Sequence, residues 1–103
     1  MYRAFVHYHF KKGMEEEGLK FLNNELLKHA KDYGCHGIEL LYNEREPSEV
    51  LGIGLWNSLE EAKSFQSLWD KKEKELVRYC TNVPKREFFK IEASYLEKSK
   101  KAA

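Results

Sequence analysis

The chain has 103 residues, which is enough for one domain with a modest hydrophobic core. Its hydrophobic content of 42% excludes a disordered chain, and its net charge of +1, from 18 basic and 17 acidic residues, argues against a nucleic-acid partner. The apolar runs fall well short of the roughly 20 residues that cross a bilayer, and two cysteines do not make a disulfide framework. We therefore expect a cytoplasmic protein with reduced thiols and no membrane contact.

Residues 2–10 alternate between two kinds of side chain, which is typical of a strand with two different faces. One face suits packing against helices and holds Tyr2, Ala4, Val6, Tyr8 and Phe10. The other face combines an aromatic ring with imidazoles, as a semi-polar cavity would, and holds Arg3, Phe5, His7 and His9. A Lys-Gly turn ends this strand, and an amphipathic helix is predicted from there to Gly34.

Two further strands are predicted on either side of a polar turn that contains Pro47. In residues 36–43, Ile38, Leu40 and Tyr42 share one face, and Glu39 and Leu41 share the other. In residues 50–56, one face is aliphatic, and the opposite face holds Val50, Gly52, Gly54 and Trp56. Two glycines on one face leave room above the sheet for a close backbone neighbour or a ligand.

A capping box, Ser58 to Glu61, predicts the start of a second helix. Its apolar stripe is predicted to face the core and holds Leu59, Ala62, Phe65, Trp69, Leu76 and Cys80. A last strand covers residues 86–96, with Phe88 and Phe89 on opposite faces. The order β-α-β-β-α-β predicts an α+β, ferredoxin-like fold, a four-stranded antiparallel sheet with both helices on one face. Residues 1–97 form the single domain, and residues 98–103 form a basic tail.

Because both helices cover one side of such a sheet, its other side needs a cover of its own. We expect that side to carry Phe5, Leu41, Val50, Trp56 and Phe88 among polar residues, which is too apolar for one contiguous patch in water. Pairing two sheets face to face would bury the patch and enclose a cavity. The sequence therefore predicts a homodimer.

Three stretches resemble the antibiotic biosynthesis monooxygenase-type domain of the dimeric α+β barrel superfamily. They are GCHGIELL at residues 34–41, the acid-rich turn with Pro47, and LWNSLEEA at residues 55–62. The resemblance implies oxygenation of polycyclic aromatic substrates without a cofactor, and heme degradation in one branch. That branch uses a first-strand asparagine and a histidine on the second helix. Residues 4–10 and 70–80 offer no match to either, so heme degradation is not expected.

The candidate catalytic residues are His7 and His9, which project from the same face of the first strand and would orient or deprotonate an acidic phenol-type substrate. The candidate ligand-binding residues are Phe5, Glu39, Leu41, Trp56, Phe65 and Phe88. A metal at the histidine pair would need a third ligand from His36 or Glu39, and hydrogen bonds at a dimer interface are the favoured alternative.

The sequence thus predicts a small dimeric monooxygenase-like protein that binds a hydrophobic or aromatic small molecule without a cofactor. Two alternatives stay open: a non-catalytic module that binds a small or heme-like molecule, and a purely structural role in which side chains fill the sheet face. In the purely structural role, Trp56 would pack between the third strand and the second helix. Gly52 and Gly54 count against this role because they leave room above the sheet.

Overall fold

The computed structural model describes residues 1–95, and it confirms the predicted order of strands and helices. The four strands are β1 (Tyr2–His9), β2 (Cys35–Asn43), β3 (Glu46–Trp56) and β4 (Arg86–Lys90). They form one antiparallel sheet in the order β2-β3-β1-β4, which is the ferredoxin-like arrangement. The tail predicted at residues 98–103 lies outside the described residues, and so does the domain boundary at 97.

The first helical stretch is less regular than its sequence pattern predicts. It runs through α1 (Glu15–Leu22), a π-helical segment (Asn23–Leu27), α2 (Lys28–Ala30) and a 3₁₀ turn (Lys31–Tyr33). It ends at Gly34, whose φ of 95° is the left-handed conformation that glycine adopts without strain. A π-helical turn inside a helix often marks a functional position.

The second helical stretch starts where predicted and breaks once. The Ser58 side chain accepts a hydrogen bond from the Glu61 backbone N–H at 3.1 Å, which confirms the predicted cap. Helix α3 (Leu59–Ser64) and helix α4 (Gln66–Leu76) meet at Phe65, and a 3₁₀ turn (Val77–Tyr79) follows. The Ser64 hydroxyl on one side of the break donates to a carbonyl one turn back at 2.6 Å, a contact that bends helices.

The sheet register decides which residues share a face, because cross-strand partners project to the same side. Ala4 lies opposite Gly54 and Phe88, and Val6 lies opposite Gly52 and Arg86. These residues face the helices. The core between the two layers is built from buried side chains of both, the largest of which are Trp56, Leu22, Leu26, Leu76 and Val50.

The register corrects the predicted open face, which is the side of the sheet away from the helices. Val50, Trp56 and Phe88 were expected there, but they pair with Tyr8, Tyr2 and Ala4 and so face the helices. The open face instead carries these residues: Arg3, Phe5, His7, His9, Glu39, Leu41, Leu51, Ile53, Leu55, Glu87 and Phe89. It remains largely apolar, as the prediction of a second copy requires.

Two strand boundaries also differ from the prediction. Strand β3 begins at Glu46, so the predicted turn of residues 44–49 is much shorter and Pro47 lies within the strand. Strand β4 ends at Lys90 instead of continuing to residue 96, although the Ile91 N–H still donates to the Met1 carbonyl at 2.9 Å. In the described part of the chain, none of the helices has the length and apolar composition needed to span a membrane.

Candidate functional site

A pocket between the sheet and the helices, here called the inner pocket, is lined almost entirely by aromatic and aliphatic groups. Its floor includes Tyr8, Gly52, Gly54, Trp56 and Arg86 from three strands. Its roof comes from the helices and consists of Leu26, Leu27, Phe65 and Trp69. The free space is about 20 Å³, room for about one water molecule. The pocket is therefore closed in this conformation.

The polar atoms of the inner pocket are unusual because two of them have no partner. Trp56 is 1% exposed and Trp69 is 4% exposed, and neither indole N–H has a hydrogen-bond partner among residues 1–95. A buried donor without an acceptor costs about 1–3 kcal/mol, so such groups in a folded protein call for an explanation. Trp69 lies near enough to the Tyr8 hydroxyl to lower the Tyr8 pKa, so the Trp56 N–H is the clearer case of a donor that an oxygen-bearing ligand would satisfy.

The two glycines of β3 make room for protein side chains. A Cβ atom at Gly54 would lie 3.0 Å from the Trp56 indole nitrogen, and one at Gly52 would lie 3.1 Å from the Tyr8 ring. The rings of Trp56 and Tyr8 thus occupy the space that the glycines leave. The glycines therefore do not count against a structural role, contrary to the sequence interpretation.

One positive charge lies in the wall of the inner pocket. Arg86 is half-buried, and burial lowers its pKa to about 10, which leaves the guanidinium charged at neutral pH. Burial also raises the pKa of Tyr8 to about 12, and hydrogen bonding with the Trp69 side chain and the Arg86 charge offset only part of that rise. Tyr8 is therefore a neutral phenol under ordinary conditions and a poor general base.

The roof of the inner pocket is irregular where it touches the pocket. Leu26 and Leu27 belong to the π-helical segment, and Phe65 sits at the break between α3 and α4. An ion pair joins the two sides of this roof, with Lys72 Nζ 2.9 Å from Glu25 Oε1. Such helix irregularities occur frequently at functional sites, and both of these lie directly over the inner pocket.

A second, larger depression lies on the open face. This open cleft has a volume of about 810 Å³ and is lined by Arg3, Phe5, His7, Leu51, Glu87, Phe89 and the segment from Lys90 to Tyr95. Phe5 and Phe89 meet edge to face with ring centroids 5.3 Å apart. Phe89 is 53% exposed and Leu41, further along the same face, is 45% exposed. Apolar groups exposed to this extent on one face point to a covering partner.

The predicted site residues are divided between the two sides of the sheet. His7 and Phe5 line the open cleft, and His9, Glu39 and Leu41 share its face. Trp56 and Phe65 line the inner pocket, and Phe88 packs against the core beside Arg86. The expectation that His7 and Trp56 act on one ligand in one cavity is therefore wrong, because odd and even positions of β1 face opposite ways.

Among the inner-pocket residues that carry polar side-chain atoms, the sequence interpretation missed Tyr8, Trp69 and Arg86. Tyr8 and Trp69 were read as core positions, which they are, and only their polar atoms reveal more. Arg86 precedes Phe88 by two positions, so it had to share the helix-facing side once the phase of β4 was known. The sequence alone did not show which alternate residues of β4 face the helices, and so it did not identify Arg86.

The histidine pair shows no sign of a metal centre. The rings of His7 and His9 lie nearly parallel with centroids 6.5 Å apart. Within residues 1–95, no group of three or more histidine, cysteine, aspartate or glutamate side chains is placed to hold an ion. His7 is exposed, and His9 is half-buried.

No family model matches the chain, and no curated protein matches it by sequence. Solved structures do match its fold. A protein from Nitrosomonas europaea assigned as an antibiotic biosynthesis monooxygenase superposes with a TM-score of 0.78 at 10% identity, over 90% of this chain and 100% of that one. A monooxygenase from Streptomyces coelicolor, solved with the ligand nanaomycin D, gives 0.76 at 10% identity, over 94% and 92% of the two chains.

A dimeric ferredoxin-like protein from an uncultured marine organism gives a TM-score of 0.75 at 13% identity, over 94% of this chain and 92% of that one. The resemblance to the antibiotic biosynthesis monooxygenase-type domain is therefore confirmed at the level of the fold. At such low sequence identities the structural similarity shows the fold only, and the chemistry has to be argued from the residues of this chain.

Proposed function

We propose that the protein binds a planar aromatic small molecule in the inner pocket and promotes its oxygenation without a cofactor. The observation that carries the proposal is the unpartnered indole N–H of Trp56, with that of Trp69 beside the Tyr8 hydroxyl, among aromatic walls. A ligand with a ring to stack and an oxygen to accept hydrogen bonds would satisfy both features. The shared fold with proteins described as monooxygenases supports the reaction class.

The chemistry follows from what such a pocket stabilises. Hydrogen-bond donors and the Arg86 charge favour the ionised form of a phenol or enol, since they act in a site of low dielectric. An ionised phenol gives electrons to O₂, and one oxygen atom enters the ring to give a quinone while the other leaves as water. The substrate supplies all the electrons, so the protein needs only to bind and ionise it.

A second candidate function is binding without turnover, and one observation favours it. The residues that line the inner pocket include no histidine and no carboxylate, and Tyr8 stays protonated because burial raises its pKa to about 12. A ligand would have to arrive already ionised, or lose its proton to water. His7 and His9, the predicted catalytic pair, lie across the sheet and would not reach it.

We further propose that the protein is a homodimer with the two open faces packed together. The exposed apolar side chains of that face, Phe89 and Leu41 above all, supply the driving force. A structural neighbour described as dimeric supports this assembly. In the dimer, the predicted ligand-binding residues Phe5, Glu39 and Leu41 would contact the partner subunit or a molecule enclosed between the sheets.

The proposal is tested with 1-naphthol, a planar phenol, and an oxygen electrode. We expect binding that quenches tryptophan fluorescence, and Trp56→Phe should weaken it about tenfold, the value of one hydrogen bond of about 1.4 kcal/mol. Oxygen uptake above the rate without protein supports the monooxygenase, and binding without uptake supports the binding module. Absence of binding to the wild-type protein would contradict both.

A further inference from the structure

The charge of Arg86 is held in place by neutral groups only. Its Nη1 donates to the side-chain carbonyl of Gln66 at 2.9 Å, and its Nη2 donates to the backbone carbonyl of Ala62 at 3.2 Å. The guanidinium carbon lies 5.3 Å from the ring centre of Phe65 and 5.0 Å from that of Phe88. No carboxylate within residues 1–95 forms an ion pair with it. The nearby Asp70 carboxylate stabilises the charge only from a distance, without direct contact. A half-buried cation with no carboxylate in contact remains costly, and an anion entering the pocket would relieve that cost.

Gln66 is the residue that keeps a carboxylate away from Arg86. Its Nε2 donates to Asp70 Oδ1 at 2.7 Å, while its Oε1 accepts from Arg86. This orientation of the amide is the only favourable one, because a flip would set its NH₂ against the guanidinium and its oxygen against the carboxylate. The Asp70 charge is thus held on the exposed side of α4, one side chain away.

Glutamine is therefore an informative choice at this position. A glutamate at this position would form an ion pair with the guanidinium and neutralise it within the protein, with its second oxygen turned away from the Asp70 carboxylate. With glutamine there, Arg86 is positioned by two acceptors and carries a charge without a contacting carboxylate into the wall of the inner pocket.

The geometry points to an organic anion as the ligand of the inner pocket, a planar aromatic molecule with one acidic group, and to Gln66 as the positioning residue that makes Arg86 available to it. This inference rests on the proposed function, because it specifies the ligand class of the same pocket. It also supplies what the pocket lacks, since a ligand that is already ionised needs no general base.

The test compares two fluorescent probes that differ by one sulfonate: 1-anilinonaphthalene-8-sulfonate, the anion, and N-phenyl-1-naphthylamine, its neutral counterpart. We expect the wild-type protein to bind the anion about tenfold more tightly or better, in line with one charge-assisted contact. Gln66→Glu should remove that preference and leave the neutral probe within about twofold of its wild-type affinity. Arg86→Met, which keeps the bulk and removes the charge, should have the same effect.

Ser67→Glu is the matched control, because it makes the same change in net charge on the adjacent, exposed position of α4. Its probe affinities should match those of the wild type. An equal loss in Ser67→Glu would overturn the inference in favour of bulk electrostatics. An equal loss of both probes in Gln66→Glu would assign Gln66 a structural role only.

The failure of the inference can be told from that of the proposed function. Equal wild-type affinities for the two probes, with no response to Gln66→Glu, would overturn the anion preference and leave an aromatic pocket standing. Absence of binding of both probes by the wild-type protein would overturn the two together. Probe bound on the open face would not respond to Gln66→Glu, because Gln66 lies on the helix side of the sheet.

Discussion

Replacing Phe89 by alanine should dissociate the proposed homodimer. The side chain is 53% exposed on the open face, which for a phenylalanine of about 200 Å² is about 100 Å² of apolar surface. At about 25 cal/mol per Å², covering it is worth about 2.5 kcal/mol. A two-fold symmetric interface contains the residue twice, so the loss is about 5 kcal/mol for the dimer.

A loss of this size corresponds to a rise of about 4,000-fold in the dimer dissociation constant. Partial cover by the partner would reduce it, and we expect a rise of at least about 100-fold. Sedimentation velocity over a dilution series measures the change directly. The edge-to-face contact with Phe5 is lost in monomer and dimer alike and cancels from the difference.

Tyr42→Ala is the matched control for this experiment. Tyr42 is 62% exposed, but its pairing with Val50 places it on the helix-facing side at the end of the β2–β3 hairpin. It offers a similar exposed aromatic area away from the open face, and its removal should leave the dimer intact. A monomeric wild-type protein, or equal weakening by the two substitutions, would refute the argument that the open face is the interface.

Further outcomes follow from the helices. Gly18→Ala should lower the free energy of unfolding, measured in urea, by about 1–3 kcal/mol. The new Cβ would lie 2.5 Å from the buried Phe10 ring, and this overpacking outweighs the gain of about 1 kcal/mol in helix propensity. A more stable variant would contradict this. Lys72→Met should break the pair with Glu25 and increase acrylamide quenching of the two tryptophans, whereas Lys20→Met, which removes an exposed pair within one helix, should not. Because the hydrogen bond from Lys72 lowers the pKa of Glu25, the pair persists as pH falls through the ordinary glutamate range, and quenching in the wild type should rise only at a pH below that range. Lys72→Met, which has no pair to lose, should show no such rise.

The order of the elements was predictable because each has a local signal. The alternation in residues 2–10 and the Ser58 cap define a strand and a helix start without reference to the rest of the chain. The phase of the later strands was not predictable in this way. In β3, the face with Leu51 is the more aliphatic, yet the glycine face turns inward because the rings of Tyr8 and Trp56 fill the space above it.

The site depended on this phase and on contacts between distant positions. Arg86 meets Ala62 and Gln66 only after the fold brings β4 beside the break between α3 and α4. No spacing in the sequence encodes that approach. The unpartnered state of the Trp56 and Trp69 nitrogens is likewise a property of three-dimensional packing. Sequence patterns identified two aromatic residues of the inner pocket, Trp56 and Phe65, and only the structure added Tyr8 and Trp69 and separated all four from the histidines.

Strand β1 has a consequence for how this protein can change over time. Its odd positions, such as His7, contribute to the open face, and its even positions, such as Tyr8, contribute to the inner pocket. If the open face is the proposed dimer interface, substitutions at odd positions can change self-association while the inner pocket keeps its lining, and substitutions at even positions can change the pocket while the interface stays the same. A protein engineer could use the same alternation to give two copies different pockets while they still recognise each other, so that one assembly carries two specificities.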